Sequence, residues 1–270
     1  MVAEIAAGVA ASSLALLADA GHMLTDAAGL AFALVAAALA GRPAQGRWTF
    51  GYRRLEILAA QGNGVTLLVV ALLVIYGAVR RLIDPPQVQG GIVVVVALAG
   101  AATSLAATAG RARAASESLN VRGAFLHIAT DVAAFVATAV AGALILLTGW
   151  DRFDAVASLV VAALMLWAAA SLLRESASIF LERSPEGIDP DAVGRALVAE
   201  HDVVEVHDLH VWTVTSGFPA LAAHVLVAPE SDCHAIRRSL EAMLREQFAL
   251  EHTTLQVEHA EPRLLTIARP

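Results

Sequence analysis

The sequence predicts an α-helical membrane protein with six transmembrane helices, the first truncated, followed by a small α+β domain of αββαβ order. Three observations predict it. The 270-residue chain is 58% hydrophobic and 16% charged, with a mean hydropathy of +0.67, too apolar for a soluble domain of that size. Five stretches reach the roughly 20 apolar residues that a helix rising 1.5 Å per residue needs to cross about 30 Å of hydrocarbon. From Gly187 the long apolar runs give way to short alternating and amphipathic segments separated by polar turns.

The five full spans are read at 14–40, 55–83, 88–110, 119–149 and 153–181. Residues 1–11 are apolar but reach only about 16 Å as a helix. They are read as the tail of a first span whose beginning is missing or mis-started, with a short interfacial segment as the alternative. This gives a transmembrane domain over 1–185, a polar domain over 186–262 and a tail over 263–270. No cleavable signal sequence is read. Basic residues in short loops face the cytoplasm. Arg42, Arg47, Arg53 and Arg54 follow the second span, and Arg111, Arg113 and Arg122 follow the fourth. The opposite connections, around Ser12 and over 85–91, carry no Arg, and Arg152 is offset by Asp151; only Arg80 and Arg81 run against the pattern. Both termini and the polar domain are therefore expected in the cytoplasm, with the chain in a bacterial inner membrane.

Charge and cysteine content narrow the partners. Residues 1–185 hold 12 Arg and 11 acids, whereas 186–270 hold 6 Arg and 14 acids. The acidic second part suits a cation and not a nucleic acid. A lone cysteine, Cys233, excludes an intrachain disulfide framework.

The second span reads LLADAGHMLTDAAG and the fifth GAFLHIATDVAAF, which place His22 four residues before Asp26 and His127 four before Asp131. Residues at i and i+4 share a helix face, and an ionised residue at mid-membrane costs about 2.5 to 3.5 kcal/mol, so each is a functional candidate. The second and fifth spans run antiparallel in a six-span topology. Counted from their entry points, the two pairs lie at about the same 12 and 18 Å depths, setting His22 opposite Asp131 and Asp26 opposite His127. Two imidazoles and two carboxylates make a tetrahedral set that zinc accepts. A single such pair would serve equally as interhelical glue or a proton relay; two at matching depth favour a metal. HExxH is absent, so a hydrolytic base is not provided, and no enzyme activity is expected.

In the polar domain, Asp189 and Pro190 open a helix to about residue 200, 203–214 and 220–228 read as strands about a Gly217-Phe218-Pro219 turn, 232–248 as an amphipathic helix and 254–259 as a last strand. The helices are expected on one face of a small open sheet. Of nine histidines, His201, His207, His210, His224, His234, His252 and His259 fall here, and with Cys233 and Glu258 they supply nitrogen, sulfur and oxygen donors.

Together, SLALLADAGHMLTDAAGLAFAL, WTFGYRRLEILAA, HIATDVAAF and VHDLHVWTVTSG resemble the cation diffusion facilitator family of zinc transporters over nearly the whole chain. The resemblance implies a homodimer in the lipid bilayer, a ferredoxin-like cytosolic domain, and efflux of divalent metal in exchange for protons, with His22, Asp26, His127 and Asp131 as the transport site for Zn2+. It further implies that His207, His224 and Glu258 match metal-binding positions, and that His252 and His234 lie where further ligands occur. His201, His210 and His259 are read as structural. The loop 41–54 has no histidine, so the interfacial metal site of some relatives is expected to be absent. Another divalent cation (cadmium, cobalt, iron, manganese) and a non-transporting metal sensor or assembly subunit are the alternatives. Asp19 is read as lining the exit, supporting the metal ligands from behind, or facing water, Gln61, Asn63 and Thr66 as packing residues, and Asp154 as a cap or interfacial residue.

Overall fold

The computed structural model describes the backbone of residues 1–112 and 119–260, and the side chains of 1–106 and 130–260. It divides into two compact units, residues 1–36 with 58–174, and residues 37–57 with 175–270. The first is helical, built from α1 (Val2–Ala11), α2 (Leu14–Ala40), α3 (Leu55–Ile83), α4 (Gly90–Ala112), α5 (Leu119–Thr148) and α6 (Arg152–Phe180). Among the described residues, the helices at Leu14–Ala40, Leu55–Ile83, Thr130–Thr148 and Arg152–Phe180 are long and apolar enough to cross a membrane, while Val2–Ala11 and Gly90–Ala106 are shorter apolar helices.

Small residues let these helices approach closely, as expected where lipid removes the hydrophobic drive for association. A Cβ on Gly90 of α4 would fall 2.7 Å from the Gly142 carbonyl of α5, and one on Gly100 would fall 2.2 Å from the Phe135 ring. Asn63 of α3 occupies the space over Gly29 of α2, where a Cβ would come within 2.6 Å of it, a packing role for that residue. Thr66 donates to the Gly62 carbonyl of its own helix at 2.9 Å.

Asp154 opens α6 but caps another helix. Its carboxylate accepts from the Ser13 hydroxyl at 2.5 Å and from the N–H groups of Leu14 at 2.7 Å and Ala15 at 3.4 Å, so it satisfies the first turn of α2. Arg81 lies 3.4 Å from the same carboxylate and also donates to the Ser12 carbonyl. The α1–α2 turn passes through Ser12 in the left-handed region (φ 55).

The second unit contains α7 (Pro190–Val198), β1 (Val203–Thr215), β2 (Phe218–Val227), α8 (Cys233–Phe248) and β3 (His252–His259). Asp189 caps α7 by accepting from Asp191 N–H at 3.1 Å, with Pro190 in the first turn; Asp232 caps α8 by accepting from His234 and Ala235 N–H. The sheet order is β1-β2-β3, antiparallel between β1 and β2 and parallel between β2 and β3. Val193 and Leu197 of α7 and Leu240 and Leu244 of α8 share one core with Leu221, Val225 and Leu255, so both helices cover the same face. Residues 42–54 belong to this unit: the Arg53 guanidinium lies 4.3 Å over the Phe218 ring, the Arg53 carbonyl accepts from the Thr215 hydroxyl at 3.0 Å, and Arg54 meets Glu182 at 3.4 Å.

Candidate metal centres

On α2, the helical repeat brings His22 and Asp26 to one face, with His22 Nε2 3.7 Å from Asp26 Oδ2. On α5, Asp131 points its Oδ1 at the same nitrogen from 3.4 Å. Donor atoms of the three residues all lie within 4.8 Å of one another. Two ligands on a tetrahedral zinc, each about 2.0 Å from the metal, stand about 3.3 Å apart; the His22 spacings to both carboxylates are within a few tenths of an ångström of that. The side chains are 9% (His22), 28% (Asp26) and 25% (Asp131) exposed. Thr25 donates to the His22 carbonyl at 2.7 Å, fixing the turn between the two ligands. The backbone of α5 carries His127 one turn before Asp131; its side chain, and with it the expected Asp26–His127 juxtaposition, lies outside the described residues.

A second cluster forms across the sheet. The register pairs His207 of β1 with His224 of β2, and their rings meet edge to face with centroids 4.6 Å apart and Nε2 to Nδ1 at 2.9 Å. Asp208 joins them, with donors of all three within 4.8 Å. A register irregularity between His207 and His210, with Asp208 at φ 50, places it there. Asp tolerates this left-handed conformation better than most residues, but nothing in VHDLH announces a bulge, so sequence reasoning missed Asp208. Glu258 of β3 lies 3.4 Å from His224 Nε2, and Glu205 lies 3.4 Å from His207 Nδ1. The Gln256 amide, donating to Glu258 at 2.6 Å, holds its carboxyl below the usual carboxylate range, with the charge and hydrogen bond of His224 acting in the same direction.

The remaining predicted donors lie elsewhere. His252 pairs in register with Ala220, whereas His224 pairs with Gln256; four residues of strand are about 13 Å. The His252 ring sits against Phe218 (5.3 Å) and Phe50 (5.9 Å) instead. His234 is exposed in the first turn of α8. His259 approaches Cys233 Sγ at 3.4 Å and the Ser231 carbonyl at 2.9 Å, and His201 lies 3.0 Å from Asp202.

Known proteins resemble the chain over nearly its whole length. The model of the cation efflux transmembrane domain matches residues 1–181, and that of the cation efflux protein cytoplasmic domain matches 185–260. The chain is 37% identical to the cadmium, cobalt and zinc/H(+)-K(+) antiporter of Bacillus subtilis, covering 96% of this chain and 84% of that protein. It is 39% identical to the metal cation efflux system protein CzcD of Cupriavidus metallidurans (96% and 83%) and 37% identical to the zinc transporter ZitB of Escherichia coli (96% and 83%). A solved structure, the metal-bound C-terminal domain of the CzcD transporter from Cuprividus metallidurans, is 32% identical with a TM-score of 0.26, covering 26% of this chain and 99% of that one.

Proposed function

The chain belongs to the cation efflux family of integral membrane transporters, which move divalent metal and are not enzymes, and from that premise we propose that it exports zinc in exchange for protons through His22, Asp26, His127 and Asp131. The single observation that carries this reading is the convergence of His22, Asp26 and Asp131 from two helices at ligand spacing. Imidazole and carboxylate together suit zinc, whereas a harder, carboxylate-richer set would suit manganese. Neutral imidazole and ionised carboxylate bind metal, so protons compete for the same side chains. A conformational change that exposes the site alternately to the two sides then lets entering protons displace the ion. Cadmium and cobalt appear in the printed name of the Bacillus relative, and they are the second reading for the cargo.

In this reading the chain works as a homodimer in a bacterial inner membrane, with both termini in the cytoplasm, the side its Arg-rich loops favour. His207, His224 and Glu258, joined by Asp208, hold a regulatory zinc. His234 and His252 lie outside that cluster and are dropped from its ligand set. Regulation requires the metal to bind one conformation more tightly than the other.

The test is zinc uptake into proteoliposomes driven by a pH gradient. Asp131→Ala is expected to abolish uptake while the protein stays folded in detergent. Wild-type protein that moves neither zinc, cadmium nor cobalt, or Asp131→Ala that transports like wild type, would sink the reading.

A further inference from the structure

We propose that Asp19 and Glu4 form a second cation-binding stage, one helical turn toward the outer side of the His22 centre, through which the divalent ion passes between that centre and the outside. This rests on the transporter reading above. Asp19 is 2% exposed and Glu4 7% exposed. Asp19 Oδ2 is enclosed and has no hydrogen-bond partner among the described residues. A carboxylate taken from water into an apolar bundle without a partner is costly, so such groups in membrane helices mark ion pathways. The contrast with Asp154 is direct: that carboxylate, also buried, is satisfied by Ser13, Leu14, Ala15 and Arg81. Among the buried acids of this unit, Asp154 is thus the satisfied one, whereas Asp19 Oδ2 and Glu4 Oε2 are both left without a hydrogen bond among the described residues.

The α1–α2 hairpin sets the level of the pair. Gly8 of α1 faces Leu16 and Leu17 of α2, and a Cβ on Gly8 would fall 3.0 Å from Leu17. Counted from the turn at Ser12 and Ser13, Asp19 lies about 9 Å along α2, Glu4 about 12 Å along α1 and His22 about 14 Å along α2. Glu4 therefore falls between Asp19 and the histidine. Among the described residues, Glu4, His22, Asp131 and the Met1 amino group are near enough for their charges to bear on Asp19. That amino group lies 3.0 Å from Glu4. Neither Asp19 nor Glu4 belongs to the group of donors that lie within 4.8 Å of one another around His22. The pair is accordingly a separate stage and not an added ligand. Two carboxylates without an imidazole hold zinc less tightly than the His and Asp set. An ion leaving a tight site needs a weaker neighbour to step to.

The experiment uses the full chain with Zn2+, measuring both transport in proteoliposomes and binding at equilibrium. Asp19→Asn keeps the shape and removes the charge; turnover is expected to fall about tenfold while the zinc dissociation constant of the His22 centre stays within about twofold. Asp19→Glu should restore most of the rate. Glu4→Gln should show the same split, more weakly, and decides the matter if Asp19→Asn does not fold. Turnover of Asp19→Asn within about twofold of wild type overturns the stage, as does a loss of affinity equal to the loss of rate, which would make Asp19 a support of the ligand set. Wild type that moves neither zinc, cadmium nor cobalt sinks the transporter reading instead, whatever the variants do.

Discussion

Among the described residues, imidazole and carboxylate groups converge twice, once between apolar helices and once across a small sheet, and the two places ask different things of a metal. At the helical centre the His22 side chain is 9% exposed and its acids about a quarter. At the sheet His207 is 38%, His224 25% and Glu258 53% exposed. Water can solvate the sheet cluster when no ion is present, so binding there is optional and suits a sensor. The helical donors have less water to fall back on. Leaving them ionised and unoccupied is costly, so metal and protons compete for these side chains, which is what the proposed exchange requires.

The largest effect separates the two centres. His22→Ala is expected to lower zinc turnover by at least about a hundredfold, whereas His207→Ala with His224→Ala should leave turnover at saturating zinc within about threefold and remove zinc binding at the sheet cluster, which calorimetric titration would read. Equal losses from both would erase the division of labour. An intermediate effect sharpens it: Glu258→Gln should weaken cytosolic zinc binding about tenfold and leave transport at saturating zinc unchanged. The smallest effect concerns the polar domain alone. Asp232 has its carboxyl held below the usual range, first by the Ala235 N–H and also by that of His234, against a smaller opposing effect of desolvation. A carboxyl lowered on folding contributes stability that is present above its unfolded value and lost as pH falls through its folded value. Asp232→Ala should therefore melt a few degrees below wild type at neutral pH, with the gap closing in acid; thermal melts at the two pH values decide.

The positions of α2, α3 and α6 follow the apolar runs to within one or two residues because a bilayer-spanning helix satisfies its backbone locally and needs only length and hydropathy. The pairing of His22 with Asp26 was legible for the same reason, since i and i+4 share a face in any helix. Opposition of His22 to Asp131 followed from counting depth along antiparallel spans. The αββαβ order of the second unit was also readable, its caps at Asp189 and Asp232 being local chemistry.

Contacts set by register or by distant chain segments were not legible. His207 meets His224 across 17 residues because of strand pairing, Asp208 enters the cluster through a bulge, and His252 is drawn to Phe218 and Phe50 and away from it. Asp154 caps a helix 140 residues earlier in the chain. By itself the sequence determined which segments form long apolar helices and which donors share a helix face, because helical periodicity is a property of neighbours. Only the tertiary structure decided which strand residues face each other and which buried acids find partners, because a one-residue slip in register or a different helix contact would reassign them all.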